Sequence, residues 1–211
     1  MKIRSDSKSI ALLAIFTSLV ISLEIFPIAG ITDFYTPIPY FTIDWTGIPI
    51  FLIFLGLGIL YSFFAIGIMW IFIAYRNFQG AAFKGLAESF TLLGFIIAKL
   101  VIRNKELDWK RSAVIYLLFA ASFRSIGMLF GNTLLFQIFS TSSLNAAFSL
   151  STIYVPWNII QAIINVIIGL FLYNLIPESL KIQAGLGKYG DRETQQFEDL
   201  ASEESKDIDD E

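Results

Sequence analysis

Side chains that can perform chemistry are scarce in this chain of 211 residues. Cysteine and histidine are both absent, which excludes thiol nucleophiles, thiolate or imidazole metal sites and the usual imidazole base. The sequence has no HExxH motif and no paired intramembrane aspartates, and GLGK at 185–188 lacks the glycine spacing and the Ser/Thr of a P-loop. We therefore predict no catalytic residue, no metal site and no cofactor, so the chain is not expected to be an enzyme.

The remaining polar residues recur at helical spacing within apolar segments. Asn158, Gln161 and Asn165 stand at i, i+3 and i+7, which places them on one helical face. Two further faces have the same character, one with Arg124, Met128 and Asn132 and the other with Lys84, Glu88 and Thr91. Polar groups are costly inside a bilayer, so these faces should point into a bundle or a cavity.

The composition indicates that membrane helices carry these faces. Hydrophobic residues make up 55% of the chain and charged residues 16%, against about 25% charged in soluble domains. We predict an all-α integral membrane protein with six transmembrane helices, at about 9–30, 47–58, 59–75, 82–101, 112–138 and 152–176. This six-helix membrane domain occupies residues 1–178, and the acidic tail at 179–211 is expected to be cytoplasmic and disordered.

The number of helices depends on the segment 47–75. As a single helix its 29 uncharged residues would measure about 43 Å, and the glycines of LGLG at 55–58 offer a break. Six spans place 12 Lys and Arg residues on the cytoplasmic side, with Arg76 and Lys84 outside and Arg124 in the membrane. Five spans would place only 5 inside and 9 outside. Because cytoplasmic loops are rich in Lys and Arg, we predict a multi-pass protein of the cell membrane with both termini cytoplasmic.

The first outer loop, at 31–46, is rich in aromatic and β-branched residues and contains Pro37 and Pro39. It is expected to form either a short hairpin or lid over the outer face, or an interfacial aromatic belt. Glu88, Asn158 and Gln161 should lie roughly 9–15 Å below the outer ends of their helices. With an apolar inner half beneath them, these residues suggest a cup that is open to the outside.

Single polar residues have a simpler alternative role, because membrane helices use Asn, Gln, Ser and Thr to hold one another. Arg124, near the middle of the membrane, needs a partner. Glu88 is the only carboxylate in the fourth to sixth spans. A structural pair of Arg124 with Glu88 and a contact of both with a ligand remain alternatives.

The order of these features over residues 8–178 resembles the substrate-binding S components of energy-coupling factor (ECF) vitamin transporters. The similar segments are SIALLAIFTSLVISLEIFPI, FTIDWTGIPIFLIFLGLG and PWNIIQAIINVIIGLFLYNLIP. The chain is most similar to the riboflavin-binding members in three motifs: Asp44, Ile48 and Pro49 after the first loop, a turn of Pro156, Trp157 and Asn158 that opens the last helix, and the spacing of Arg124, Met128 and Asn132.

This resemblance implies a six-helix subunit that binds a vitamin from outside and docks on a transmembrane coupling subunit driven by two cytoplasmic ATPases. Small residues of the first helix, here Ala11, Ala14 and Ser18, would form the docking face. The expected substrate-binding residues are Tyr40, Asp44, Trp45, Glu88, Arg124, Asn132, Trp157, Asn158 and Gln161. The aromatic side chains would line a flat ring, and the amides would meet ring carbonyl, ring N–H and ribityl groups.

The predicted function is therefore the capture of a vitamin, with riboflavin as the leading transported ligand. One alternative is an S component for another small vitamin or a queuosine-like precursor. A second is a non-transporting membrane scaffold whose polar residues only hold helices together. A third is a membrane enzyme in which Glu88 and Arg124 act in an unrecognised chemistry.

Overall fold

The computed structural model describes residues 7–39, 41–102, 108–140, 143–177, 179 and 181. Within these residues the chain forms six helices and one hairpin of two strands. Their order is α1 (Ser7–Ile25), β1 (Asp33–Tyr35), β2 (Thr42–Asp44), α2 (Gly47–Gly56), α3 (Ile59–Arg76), α4 (Phe78–Ile102), α5 (Trp109–Ser140) and α6 (Leu144–Leu175). The helical prediction is confirmed, with two short strands added to it. Except for residues 179 and 181, the predicted tail lies outside the described residues.

Five of the described helices, α1 and α3 to α6, are long and apolar enough to cross a membrane. The sixth, α2, has 10 residues and is about 15 Å long at 1.5 Å per residue, half of the roughly 30 Å hydrocarbon core. The chain is thus a multi-pass membrane protein, and a sixth complete crossing stays a prediction.

The apolar segment 47–75 breaks within LGLG, as its glycines predict. α2 ends at Gly56, and the amides of Leu57 and Gly58 both donate to the carbonyl of Ile53, at 2.7 and 3.0 Å. Gly58 has a φ of 102°, a conformation that glycine adopts without a steric penalty. The two satisfied amides and this glycine end α2 and let α3 start at residue 59.

A single residue, Asn77, separates α3 from α4. Its backbone N–H donates to the carbonyl of Ile73 at 2.7 Å, and its side-chain oxygen accepts a hydrogen bond from the N–H of Gly80 at 3.0 Å. The asparagine thereby satisfies one helix end and caps the next. Because of this cap, α4 begins at Phe78, earlier than the predicted start at 82.

The last helix also begins earlier than predicted, and the prediction that Pro156 opens it is wrong. Ser143 caps α6 by accepting a hydrogen bond from the N–H of Ala146 at 3.4 Å, so the helix starts at Leu144. Pro156 lies inside the helix, a position that membrane helices tolerate because other groups satisfy the freed backbone. Asn158 is consequently about 21 Å from the start of α6 at 1.5 Å per residue, beyond the expected 9–15 Å.

The helices pack in a bundle in which α5 lies along both α4 and α6, α3 lies on α4, and α2 lies on α6. Its largest buried side chains include four aromatic residues, here called the aromatic cluster: Phe51, Phe54, Phe95 and Tyr116. The rings of Phe51 and Phe95 are stacked with centroids 4.2 Å apart. Because lipid is as apolar as these side chains, close packing rather than exclusion from water stabilises this region.

The loop predicted to lie outside forms a hairpin, one of the two structures expected for it. β1 and β2 pair in antiparallel register, with Asp33 opposite Asp44, Phe34 opposite Ile43 and Tyr35 opposite Thr42. Ile43 and Asp44 are buried, whereas Phe34 and Tyr35 are exposed. The hairpin therefore turns β2 toward the bundle.

Candidate functional site

Asp44, at the end of β2, joins the hairpin to the bundle through its backbone and its side chain. Its N–H donates to Oε1 of Gln161 at 3.0 Å, and its carbonyl accepts from Nε2 of Gln161 at 2.6 Å. One carboxylate oxygen accepts hydrogen bonds from the backbone N–H of Thr46, at 2.9 Å, and from the Thr46 hydroxyl. The other lies 2.7 Å from the Lys84 ammonium. Every polar group of Asp44 thus has a partner within the protein.

The Lys84 ammonium also pairs with Glu24, in the last turn of α1. We call Glu24, Asp44, Thr46 and Lys84 the hairpin cluster. The side chains of its three charged members are only 11–19% exposed, and they come from α1, β2 and α4. Arg76 holds the same end of α1 by donating to the carbonyl oxygen of Glu24 at 2.9 Å.

The two aspartates that face each other across the hairpin have pKa values shifted in opposite directions. Burial by itself raises the pKa of Asp44, but the Lys84 ammonium and the hydrogen bonds from Thr46 outweigh it and hold this pKa below the ordinary aspartate value. Asp33 has no such ion pair within the described part of the chain, and burial together with the facing Asp44 carboxylate raises its pKa. Asp44 is therefore held as an anion, while Asp33 is protonated more easily than an ordinary aspartate.

A second group of polar side chains surrounds Arg124, and we call it the core cluster: Glu88, Thr91, Arg124 and Asn158. Nη1 of Arg124 donates to Oε1 of Glu88 at 2.7 Å and to the hydroxyl of Thr91 at 2.9 Å. Nε donates to Oδ1 of Asn158 at 3.3 Å. The charged side chains are 5% and 2% exposed. The predicted Arg124–Glu88 pair is thus present, with two neutral acceptors completing it.

The three polar faces expected from helical spacing all point into the bundle. On α4, Glu88 and Thr91 contact Arg124, and Lys84 contacts Asp44. The α5 face of Arg124, Met128 and Asn132 and the α6 face of Asn158, Gln161 and Asn165 are buried throughout.

Asn165 shows how closely α6 and α2 approach. Its side-chain oxygen accepts from Gln161 at 3.0 Å. Its buried Nδ2 has no hydrogen-bond partner within the described part of the chain and lies against Gly47. A Cβ atom at Gly47 would be 1.9 Å from that nitrogen, so any larger residue would require the Asn165 side chain to move.

The structure brings five of the nine expected substrate-binding residues into the two clusters or into direct contact with them: Asp44, Glu88, Arg124, Asn158 and Gln161. Asn132 is 3% exposed on the Arg124 face of α5. Trp45 is 38% exposed and Trp157 is half-buried; neither has a described polar contact with the clusters. Tyr40 lies outside the described residues.

Sequence reasoning missed Glu24 and Thr46 as members of the hairpin cluster. It also missed the role of Lys84 and the support that Tyr154 gives to the hairpin. The Tyr154 hydroxyl donates to the carbonyl oxygen of Pro39 at 2.9 Å, and its ring is near those of Phe41 and Phe136. Lys84 was counted with the charges on the outer side and also placed on the polar face of the fourth helix. In the structure it lies within α4 and pairs with Glu24 and Asp44. A carboxylate in an otherwise apolar first helix was the available signal for Glu24.

The expected docking residues Ala11, Ala14 and Ser18 are all exposed along α1. Neighbouring Ile15 is 62% exposed and Leu19 is 45% exposed. This side of α1 therefore presents small and apolar side chains away from the bundle.

Comparison with known proteins gives a match in structure. No protein-family model matches the chain, and no curated protein matches it by sequence. A solved structure titled as the S-component for biotin from an ECF-type ABC transporter superposes with a TM-score of 0.55 and 19% identity, covering 86% of this chain and 98% of that one. At this identity the likeness establishes the fold: this chain folds as an S component does.

Proposed function

We propose that the protein is the vitamin-capture subunit of an ATP-driven ECF-type importer. The observation that carries this proposal is the combination of the S-component fold with a buried polar layer, the core cluster, in a bundle whose outer loop folds into an anchored hairpin. A largely apolar site with a few convergent polar groups is typical of small-molecule binding.

Riboflavin is the ligand that we favour, and charge is the reason. The three carboxylates Glu24, Asp44 and Glu88 outnumber the cations Lys84 and Arg124, and each cation is already paired. These groups offer no net positive charge to a carboxylate ligand. An uncharged vitamin avoids the cost of burying an anion beside them, which favours riboflavin over biotin.

Riboflavin also suits the amide and aromatic side chains expected at the site. Asn132 and Asn158 have both donors and acceptors, as ring carbonyl, ring N–H and ribityl groups require. Trp45, Trp157 and Tyr40 are the proposed aromatic walls for the flat ring. Gln161 is engaged by the backbone of Asp44, so we assign it to holding the hairpin, with Asp44, rather than to direct ligand contact.

The second candidate is an S component for another small vitamin or precursor. Biotin represents this class, because the solved structural neighbour is titled as a biotin S-component. A non-transporting scaffold is the remaining alternative, and in that case no vitamin would stabilise the fold.

The proposed function as a capture subunit also implies an assembly with other proteins. The chain would bind its vitamin from outside the cell with both termini in the cytoplasm. The exposed α1 face with Ala11, Ala14 and Ser18 would contact a transmembrane coupling subunit, because small residues let helices approach closely. Two cytoplasmic ATPases would drive that subunit.

Thermal unfolding in detergent with a panel of vitamins tests the proposal. A ligand bound only by the folded state stabilises it by about 2.7 kcal/mol at 100 times its Kd. We expect riboflavin to raise the midpoint and biotin to leave it unchanged. Stabilisation by biotin alone would transfer the proposal to the second candidate, and no stabilisation by any vitamin would favour the scaffold.

A pair of asparagine variants on α6 tests the site. Asn158→Ala should weaken riboflavin binding while leaving the protein folded, because its amide lies in the core cluster. Asn145→Ala is the matched control, since Asn145 is exposed near the start of the same helix. Equal affinities of the two variants would remove Asn158 from the ligand site.

A further inference from the structure

The ammonium group of Lys84 attaches one end of the hairpin to the bundle by linking α1, β2 and α4. Lys84 lies in α4 and contacts both the Asp44 carboxylate of β2, at 2.7 Å, and the Glu24 carboxylate of α1. The side chains of Lys84, Glu24 and Asp44 are 19%, 12% and 11% exposed. A cation between two carboxylates is held strongly at this depth, yet water can still reach it if the hairpin moves.

Two further attachments of the hairpin, among the described residues, are neutral. Gln161 makes two hydrogen bonds with the backbone of Asp44, and Tyr154 makes one with the carbonyl of Pro39. The β1 strand has few such attachments: Phe34 is 42% exposed and Tyr35 is 78% exposed. Lys84 is thus the charged contact that holds β2 against α1 and α4.

Without Lys84, the electrostatic interaction between the hairpin and α1 would change from attraction to repulsion. Glu24 and Asp44 would face each other as two carboxylates without the ammonium between them, and Asp33 stands opposite Asp44 in the hairpin register. Like charges in close contact repel. The hairpin is the part that can move away, because Glu24 belongs to a helix whose last turn is held by Arg76.

We propose that Lys84 is a positioning residue that holds the hairpin closed over the core cluster and thereby sets how fast a ligand leaves. Lys84 acts through Asp44 and does not itself contact the ligand. The consequence for ligand exchange rests on the proposed function, whereas the position of the hairpin does not.

Spin-label distance measurements test the position of the hairpin directly. The chain has no cysteine, so Tyr35→Cys and Leu144→Cys, at sites 78% and 60% exposed, accept labels at those two positions alone. We expect a narrow distance distribution in this background. Lys84→Met should broaden it toward longer distances, and Lys84→Arg, which keeps the positive charge, should restore most of the narrow population.

The control is Lys110→Met, which removes an exposed lysine at the start of α5 and should leave the distribution unchanged. If Lys84→Met fails to fold, the triple variant Lys84→Met, Glu24→Gln, Asp44→Asn is measured in its place, since it buries no unpaired charge. An unchanged distribution in the folded Lys84 variant would overturn the proposal. So would a lower unfolding temperature without any change in the hairpin distance, because that is the behaviour of a merely structural residue.

Riboflavin exchange supplies the functional readout. Dissociation, followed by recovery of flavin fluorescence after dilution, should accelerate about tenfold in Lys84→Met, the scale expected for losing one hydrogen bond to a charged group. If the hairpin opens in Lys84→Met but riboflavin dissociates at the unmutated rate, Lys84 does not set how fast the ligand leaves. Should riboflavin not bind the unmutated protein, the proposed ligand fails, and the spin-label distances still decide whether Lys84 holds the hairpin.

Discussion

The hairpin cluster and the core cluster both use α4 side chains one helical turn apart, Lys84 and Glu88, yet their surroundings differ. The charged side chains of the hairpin cluster are 11–19% exposed and come from the end of α1, a strand and the second turn of α4. Those of the core cluster are 2–5% exposed and come from two long helices. One cluster includes a strand of the hairpin, and the other joins two long helices.

This difference separates two uses of a buried charge. Separating Arg124 from Glu88 would leave both in a region without water, at a cost of several kcal/mol per ion, so their pair fixes α4 against α5. Separation of Asp44 from Lys84 exposes both to water, which replaces much of the lost interaction. The core cluster is therefore suited to a fixed binding surface, and the hairpin cluster to a reversible closure.

The largest expected effect comes from breaking the core pair. Arg124→Leu should destabilise the protein by about 3–5 kcal/mol, because it leaves the Glu88 carboxylate buried without its partner. The double variant Glu88→Leu, Arg124→Leu should recover most of that loss. Unfolding in detergent measures both, with Lys110→Leu on the same helix as the exposed control. A double variant as unstable as the single one would show that the two residues do not act as a pair.

A smaller effect is expected from the neutral attachment of the hairpin. Gln161→Leu leaves the buried N–H and carbonyl of Asp44 without their partners and should cost about 2–3 kcal/mol. The loss should appear together with a broader Tyr35→Cys to Leu144→Cys distance distribution. Gln79→Leu, at an exposed position of α4, is the control. Destabilisation with an unmoved hairpin would assign Gln161 to the bundle alone.

Gly47→Ala perturbs the same region by steric means. The added methyl would meet Nδ2 of Asn165 at 1.9 Å and push the amide that Gln161 contacts, at an expected cost of about 1–2 kcal/mol. Gly67→Ala is the matched control, since a Cβ there has no neighbour within 4 Å. Equal unfolding midpoints for the two variants would contradict the close approach of α2 and α6.

The smallest effect is a pH dependence of the hairpin. The raised pKa of Asp33 means that stability should increase as the pH falls from neutral through that value, since the folded state favours the neutral acid. Asp44, with its lowered pKa, contributes stability above the usual aspartate pKa of about 3.9, and this contribution is lost as the pH falls through the lowered value. The groups facing this pair are Lys84, Arg76 and Glu24.

Asp33→Asn separates the two contributions. It should abolish the increase on mild acidification and leave the loss at lower pH, when unfolding is measured across the pH range. Persistence of the increase in the variant would assign it to another group.

Periodicity predicted much of the core cluster. Residues at i, i+3, i+4 and i+7 share a helical face whatever the tertiary structure, so the polar faces of α4, α5 and α6 could be identified from spacing alone. The scarcity of carboxylates then identified Glu88 as the partner of Arg124, and the glycines of LGLG identified the break between α2 and α3.

The hairpin cluster could not be predicted in the same way. Glu24, Asp44 and Lys84 are far apart in sequence and belong to three elements, so no period relates them. Lys84 also lay close to a predicted helix end, where a charge is normally solvated. The prediction that Pro156 opens α6 was wrong although proline is a common helix-opening residue, because the cap at Ser143 depends on one side-chain hydrogen bond that the sequence does not reveal.

Riboflavin titration of the purified protein, with its absorption spectrum recorded first, tests the central claim most directly. We expect a flavin spectrum or, in ligand-free protein, quenching of flavin fluorescence that saturates at one riboflavin per chain and is weakened in Asn158→Ala. A colourless protein that leaves riboflavin fluorescence unchanged would contradict riboflavin capture. In that case the S-component fold would remain, and the two alternatives would be another vitamin as ligand or a non-transporting scaffold.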